Sequence, residues 1–250
     1  MLAACTALGA CTRETGTGST GSGASASSAR TGPAASGGAS SSAPAASGSA
    51  EPGSAGEEQR IREVFVQYKE AIAKSKGEAA ASLVSEKTIA YFEQMRVAAL
   101  TMPAAEVKQS PLMDRTMILA TRARVAKGEL ARWHGRELFV HAVDQGWVGK
   151  EAQRLAPDLI TIDGTTASLG LRAGTETVPP SQGFKLYQEA GGWKLDVISV
   201  ARADSASMKA VQKELAQIDP DPNRALVKLI EMLTGKPVGP EIWEPLERKK

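Results

Sequence analysis

Cysteine is nearly missing from this chain of 250 residues: Cys5 and Cys11 are its only two, so no disulfide can staple anything beyond residue 11. A fold without staples must close a large core, and the stretch 57–250 is long enough to do so. Histidine is equally scarce. His134 and His141 stand alone, and with no cysteine beside them they argue against a zinc site. No run reaches the roughly 18 apolar residues of a membrane span. Neither sign of charge dominates: 30 Lys and Arg against 28 Asp and Glu leave +2, without the basic footprint of a nucleic-acid binder. There is no phosphate-cradling glycine loop and no Gly-x-Ser-x-Gly elbow, and nothing in the sequence calls for a cofactor.

What is present starts with the two cysteines. Leu8-Gly9-Ala10 precede Cys11 and Leu2-Ala3-Ala4 precede Cys5. Each stretch resembles a bacterial lipobox, in which a small residue allows cleavage and the cysteine then receives lipid. The basic start of a secretory signal is missing and the apolar middle is short, so translation is expected to begin upstream of Met1. Cys11 is the expected lipidation site, because it keeps part of an apolar segment before it and is followed at once by Thr12, Arg13 and Glu14. Cys5 is the alternative. Residues 1–14 read as a signal remnant and membrane anchor. They place the protein in the bacterial cell envelope, facing the periplasm or the exterior. From Thr15 to Gly56 there is no Leu, Ile, Val, Met or aromatic residue. Such a segment cannot offset its ordering entropy by burial and reads as a disordered tether, with a mean span of roughly 35–40 Å.

Helical periodicity follows. Ile61, Val64, Phe65, Tyr68, Ala71 and Ile72 share a helix face that Gly77 should close. A second helical stretch runs from about Glu78 to Leu100, with a break at Ser85. Ser110-Pro111 predicts a capped helix ending near Gly128, and Arg136–Gln145 a short one. The period then changes to two. In LITIDGTTASLGL, a turn at Asp163-Gly164 pairs Ile160 with Ala167. One apolar face then holds Ile160, Ile162, Ala167, Leu169 and Leu171. In GFKLYQEAGGWKLDVISV, a turn at Gly191-Gly192 pairs Tyr187 with Asp196 and Glu189 with Lys194. Phe184, Leu186, Trp193, Leu195 and Val197 make its apolar face. Two helices close the chain. One carries Met208, Val211, Leu215 and Ile218; the other, Leu226, Leu229, Ile230 and Leu233. Between them stands Asp219-Pro220-Asp221-Pro222. The fold class is α+β: N-terminal helices on a curved antiparallel sheet of two hairpins, plus a C-terminal helical pair.

Helices followed by antiparallel hairpins, with DGTTA at one turn and GGWKLDV in the last strand, resemble the nuclear transport factor 2-like superfamily, the cone-shaped fold of ketosteroid isomerase and SnoaL-like cyclases. The resemblance covers roughly Glu58 to Val200, within a domain over 57–250. It implies a pocket between the concave sheet face and the helices, lined here by Phe65, Tyr68, Phe184, Leu186, Trp193 and Leu195. That face bears no obvious acid or base, which counts against acid–base catalysis. The helix-borne candidates are His141 and Asp144, three residues apart, although Glu137, His141 and Asp144 also read as a solvated stripe. Tyr187 with Asp196 is the other polar pair, expected on the outer sheet face. The sequence therefore favours a tethered, non-catalytic domain that binds an apolar ligand or an envelope protein. An isomerase or cyclase using cone residues and a homodimer through the outer sheet face are the alternatives.

Overall fold

The computed structural model describes residues 52–200 and 205–247. Both cysteines, the tether up to residue 51, Met208 as a side chain and the terminal Arg248-Lys249-Lys250 lie outside what is described. The fold is α+β, with an N-terminal helical layer, an open antiparallel sheet and a C-terminal helical pair.

The first helix, α1 (Pro52–Ala73), starts inside the expected tether and buries Ile61, Phe65, Tyr68, Ala71 and Ile72. This is the face that the period predicts. Gly77 does not close it. Ser75 takes the left-handed position instead, with φ 49°, and the amide of Lys76 returns to the Ala71 carbonyl. Gly77 opens α2 (Gly77–Leu83), where a Cβ would lie 2.4 Å from the Val140 carbonyl oxygen. Its role is close packing, not helix termination. The predicted break at Ser85 is present: this residue caps α3 (Glu86–Thr101).

Ser110 is not the expected N-cap. It closes an unforeseen short helix, α4 (Ala104–Gln109), with its hydroxyl on the Glu106 carbonyl. Pro111 stands at the N-cap of α5 (Leu112–Arg124). That helix ends before Gly128, and a single turn, α6 (Lys127–Leu130), intervenes before α7 (Gly135–Asp144).

Strands β1 (Ala156–Asp163) and β2 (Thr166–Ala173) form the first hairpin. Its turn is Gly164-Thr165, one residue later than expected, so Ile160 faces Leu169 and Ile162 faces Ala167. A short β3 (Glu176–Val178) and β4 (Phe184–Glu189) share the far side of β2. β5 (Gly192–Asp196) follows a turn at Ala190-Gly191, one residue earlier than expected. Each turn moves its register by two positions. The parity of the strands survives, and with it the division into faces. Ile160, Ala167, Leu169, Leu171, Phe184, Leu186, Trp193 and Leu195 are all buried.

The cross-strand partners do change. Tyr187 faces Lys194, and Asp196 faces Lys185, so neither the Tyr187–Asp196 nor the Glu189–Lys194 pair exists. Glu189 instead accepts from the amide of Glu86 at the start of α3, where a helix favours an anion. Lys194 donates to the Ser82 carbonyl at the end of α2, where a helix favours a cation. Val84, between those helices, bridges in parallel to Leu195. One strand pair thus fastens both ends of the α2–α3 corner.

Helices α8 (Ser205–Ile218) and α9 (Pro222–Thr234) match the expected closing pair. Asp221 caps α9, and Gly235 ends it with φ 66°. The C-terminal segment is part of the core. Ile242 and Trp243 are buried against α5, held by Arg122. The guanidinium of Arg122 donates to the carbonyls of Ala98, Ala99 and Met102 at the end of α3 and to those of Ile242 and Trp243. All its donors are used. Burial pushes its pKa down to about 10, against the pull of Glu244, and it stays charged at neutral pH. The amides of Leu246 and Glu247 complete the same helix end by donating to Ala99 and Leu100.

Candidate functional site: a Trp–His–Trp–Arg row and an apolar groove

The six residues expected to line a cone pocket are each at most 4 % exposed. They meet as core: the rings of Phe65 and Phe184 lie 5.7 Å apart. Burial drives the Tyr68 phenol well above its ordinary range, which keeps it protonated at neutral pH. The indole N–H of Trp193 is buried without a partner among the described residues.

The expected catalytic candidates are occupied individually. Asp144 does not orient His141. Its Oδ1 accepts the amide of Gly77 at 2.6 Å and so anchors the start of α2. Glu137 turns back to the amide of His134 and completes a capping box on its own helix. Asp196 is buried and accepts from the Ile198 amide and the Thr88 hydroxyl. Tyr187 lies under the ammonium of Lys87, 3.8 Å from its ring centroid. Among the described residues no group of three or more His, Cys, Asp or Glu is arranged to hold a metal. No described helix is long and apolar enough to cross a membrane.

What the structure assembles instead is a row of rings around α7. Trp133 precedes the helix, and Gly146 follows it in the left-handed conformation, with φ 66°. That glycine folds the chain back, and the amide of Trp147 returns to the Ala142 carbonyl at 2.8 Å. Both indoles therefore pack on His141, with ring centroids 4.9 Å and 5.0 Å away. The guanidinium of Arg124 lies 4.9 Å from the Trp147 ring and also donates to the Leu233 carbonyl of α9. Burial lowers the pKa of His141, while Glu129 and Asp144 oppose that shift. His141 was a foreseen candidate, but its partners were not. The available signal was the Gly146-Trp147 reversal behind a helix that begins one residue after Trp133-His134.

The second feature is a groove of about 530 Å³ on the outer side of α3 and α4. Val97, Ala98, Met102 and Pro103 line it with Gln94, Thr101, Glu106 and Glu93, whose carboxylate is held by Arg96. Val97 is 43 % exposed there. A smaller recess of about 240 Å³ lies beside Arg122 and Val238, but the donors of Arg122 are already committed.

The chain matches no family model, no curated protein and no solved structure. The reading of its function therefore rests on its own residues.

Proposed function

We propose that this chain is a lipid-anchored protein of the bacterial envelope, whose nuclear transport factor 2-like domain binds a protein partner without catalysis. The α3–α4 groove carries this reading. It is largely apolar, Val97 is exposed in it and the Glu106 carboxylate is among its lining residues, so it suits an apolar segment of a partner that carries a Lys or Arg. The packed interior supports protein over small apolar ligand, since Phe65, Leu186 and Leu195, with which the cone would line its pocket, are fully buried. Support for a non-catalytic role comes from Asp144 and Asp196, whose carboxylates are engaged in holding backbone amides. The lipobox-like Leu8-Gly9-Ala10-Cys11 followed by a low-complexity tether supports the anchor.

Two experiments test the parts separately. In a bacterial host, labelled fatty acid should enter the full-length protein and be lost in Cys11→Ala. Retention in that variant with loss only in Cys5→Ala moves the site, and retention in both ends the lipoprotein reading. For the groove, a photo-crosslinking amino acid at position 97 should give a discrete adduct in cells that one at the exposed position 67 does not. Identical products at both positions would remove the groove from consideration. An adduct of twice the chain's own mass would assign the groove to a homodimer.

A further inference from the structure

The α3–α4 groove is built on the helix end that the C-terminal tail holds. Ala98 and Met102 line the groove, and their carbonyls accept from the Arg122 guanidinium at 3.1 Å and 2.5 Å. The same guanidinium takes the Trp243 carbonyl at 2.6 Å. The carbonyls of Ala99 and Leu100 accept the amides of Leu246 and Glu247 at 3.3 Å and 2.8 Å. The last turn of α3 is therefore finished by the tail and by the arginine that clasps it.

The other wall depends on the tail as well. Helix α4 supplies Glu106, and Pro103 is its N-cap. Its six residues are too few to hold a helix by propensity alone, so α4 stays where its neighbours pin it. Val107 is buried, and Lys108 lies over the indole of Trp243, 5.4 Å from the ring centroid. One tail residue thus reaches both walls, its carbonyl through Arg122 and its ring through Lys108. The tail itself is joined to α9 by Gly235-Lys236-Pro237-Val238-Gly239, which is neither helix nor strand. It can leave its seat without unwinding α9.

We infer that the tail over residues 240–247 is a strap that sets the groove. Docked, it holds the end of α3 and the whole of α4 in the binding shape. Released, both walls loosen together and the partner is lost. The consequence for binding rests on the groove reading; the coupling between strap and walls does not. Linkage makes the effect reciprocal, so a partner seated in the groove tightens the tail by the same factor.

Native-state hydrogen exchange of the full chain at low urea tests the coupling without any variant. The amides of Leu246 and Glu247 should open as one unit with those of Met102, Val107 and Ser110 and share their urea dependence, while those of Gln145 and Gly146 behind α7 open separately. In Trp243→Ala, exchange at Met102, Val107 and Ser110 should rise by at least about tenfold, with Gln145 unchanged. The cellular adduct from position 97 should fall in parallel. Trp243→Phe keeps a ring under Lys108 and should behave as the native chain. Amides of α4 that open independently of the tail overturn the inference, as does a Trp243→Ala protein with unchanged α4 exchange or an undiminished adduct. Should Trp243→Ala fail to fold, the urea dependence in the native chain decides alone. A native chain without any adduct at position 97 would end the groove reading, and the exchange data would still decide the strap.

Discussion

Arg122→Leu is the most informative single change. The native guanidinium is 7 % exposed and serves five carbonyls on two segments. Leucine fills part of the volume but leaves the last carbonyls of α3 and those of Ile242 and Trp243 without donors. A buried acceptor left without its donor typically costs about 1–3 kcal/mol, so two carbonyls that water does not reach already bring the loss to about 2–6 kcal/mol. The tail would lose its hold, so water should enter by displacing Pro240–Trp243. We therefore expect a loss of about 2–6 kcal/mol in urea unfolding, together with early protease cleavage near Lys236. Arg122→Lys should recover part of the loss, because an ammonium has three donors where the guanidinium has five. Arg124→Gln, two residues on and more exposed, should cost under about 1 kcal/mol. If Arg122→Leu stays within about 1 kcal/mol of the native protein and leaves the tail protected, the clasp contributes nothing and the reasoning fails.

The remaining expectations can be checked together. Trp193→Ala empties a large buried site and should cost roughly 3–5 kcal/mol, whereas Tyr187→Phe keeps the ring under Lys87 and should cost under about 0.5 kcal/mol; a reversed order of denaturation midpoints would mean that the sheet faces are swapped. Gly135→Ala should lower the melting temperature despite better helix propensity, because its Cβ would lie 2.5 Å from both the Glu93 amide and the Ile89 carbonyl, and a stabilised variant would contradict the tight α3–α7 crossing. Burial lowers the pKa of His141, so the unfolded chain takes up its proton first as pH falls; stability should be held above about pH 6.5 and decline below it. His141→Phe should flatten that segment of the stability–pH curve, and an identical slope in the variant would exclude His141 as its source.

The sequence made the two faces of the sheet readable because alternation has a period of two, and a turn displaced by one residue leaves parity intact. It did not make the cross-strand partners readable. Placing both glycines in the centre of the second turn puts Glu189 opposite Lys194; the actual turn uses Ala190 and Gly191, and Gly192 pairs with Glu189. Where Glu189 and Lys194 then reach depends on helix ends that lie 103 and 112 residues away in the chain. Local pattern carries no such information. The role of Arg122 is illegible locally for the same reason: its acceptors on the tail are 120 and 121 residues distant. His141 and Asp144 were correctly placed on one helix, but packing from α2 and from Trp147 decided what each one does.

Those distant ties also govern when the protein can fold. The α2–α3 corner closes on β4 and β5, and the last carbonyls of α3 accept from Arg122 and from the amides of Leu246 and Glu247. A nascent chain leaves the ribosome amino end first, so the early helices appear long before the strand and tail that complete them. Contacts of such wide sequence separation are slow to form. The helical layer is therefore completed only after the second hairpin and the tail have been made.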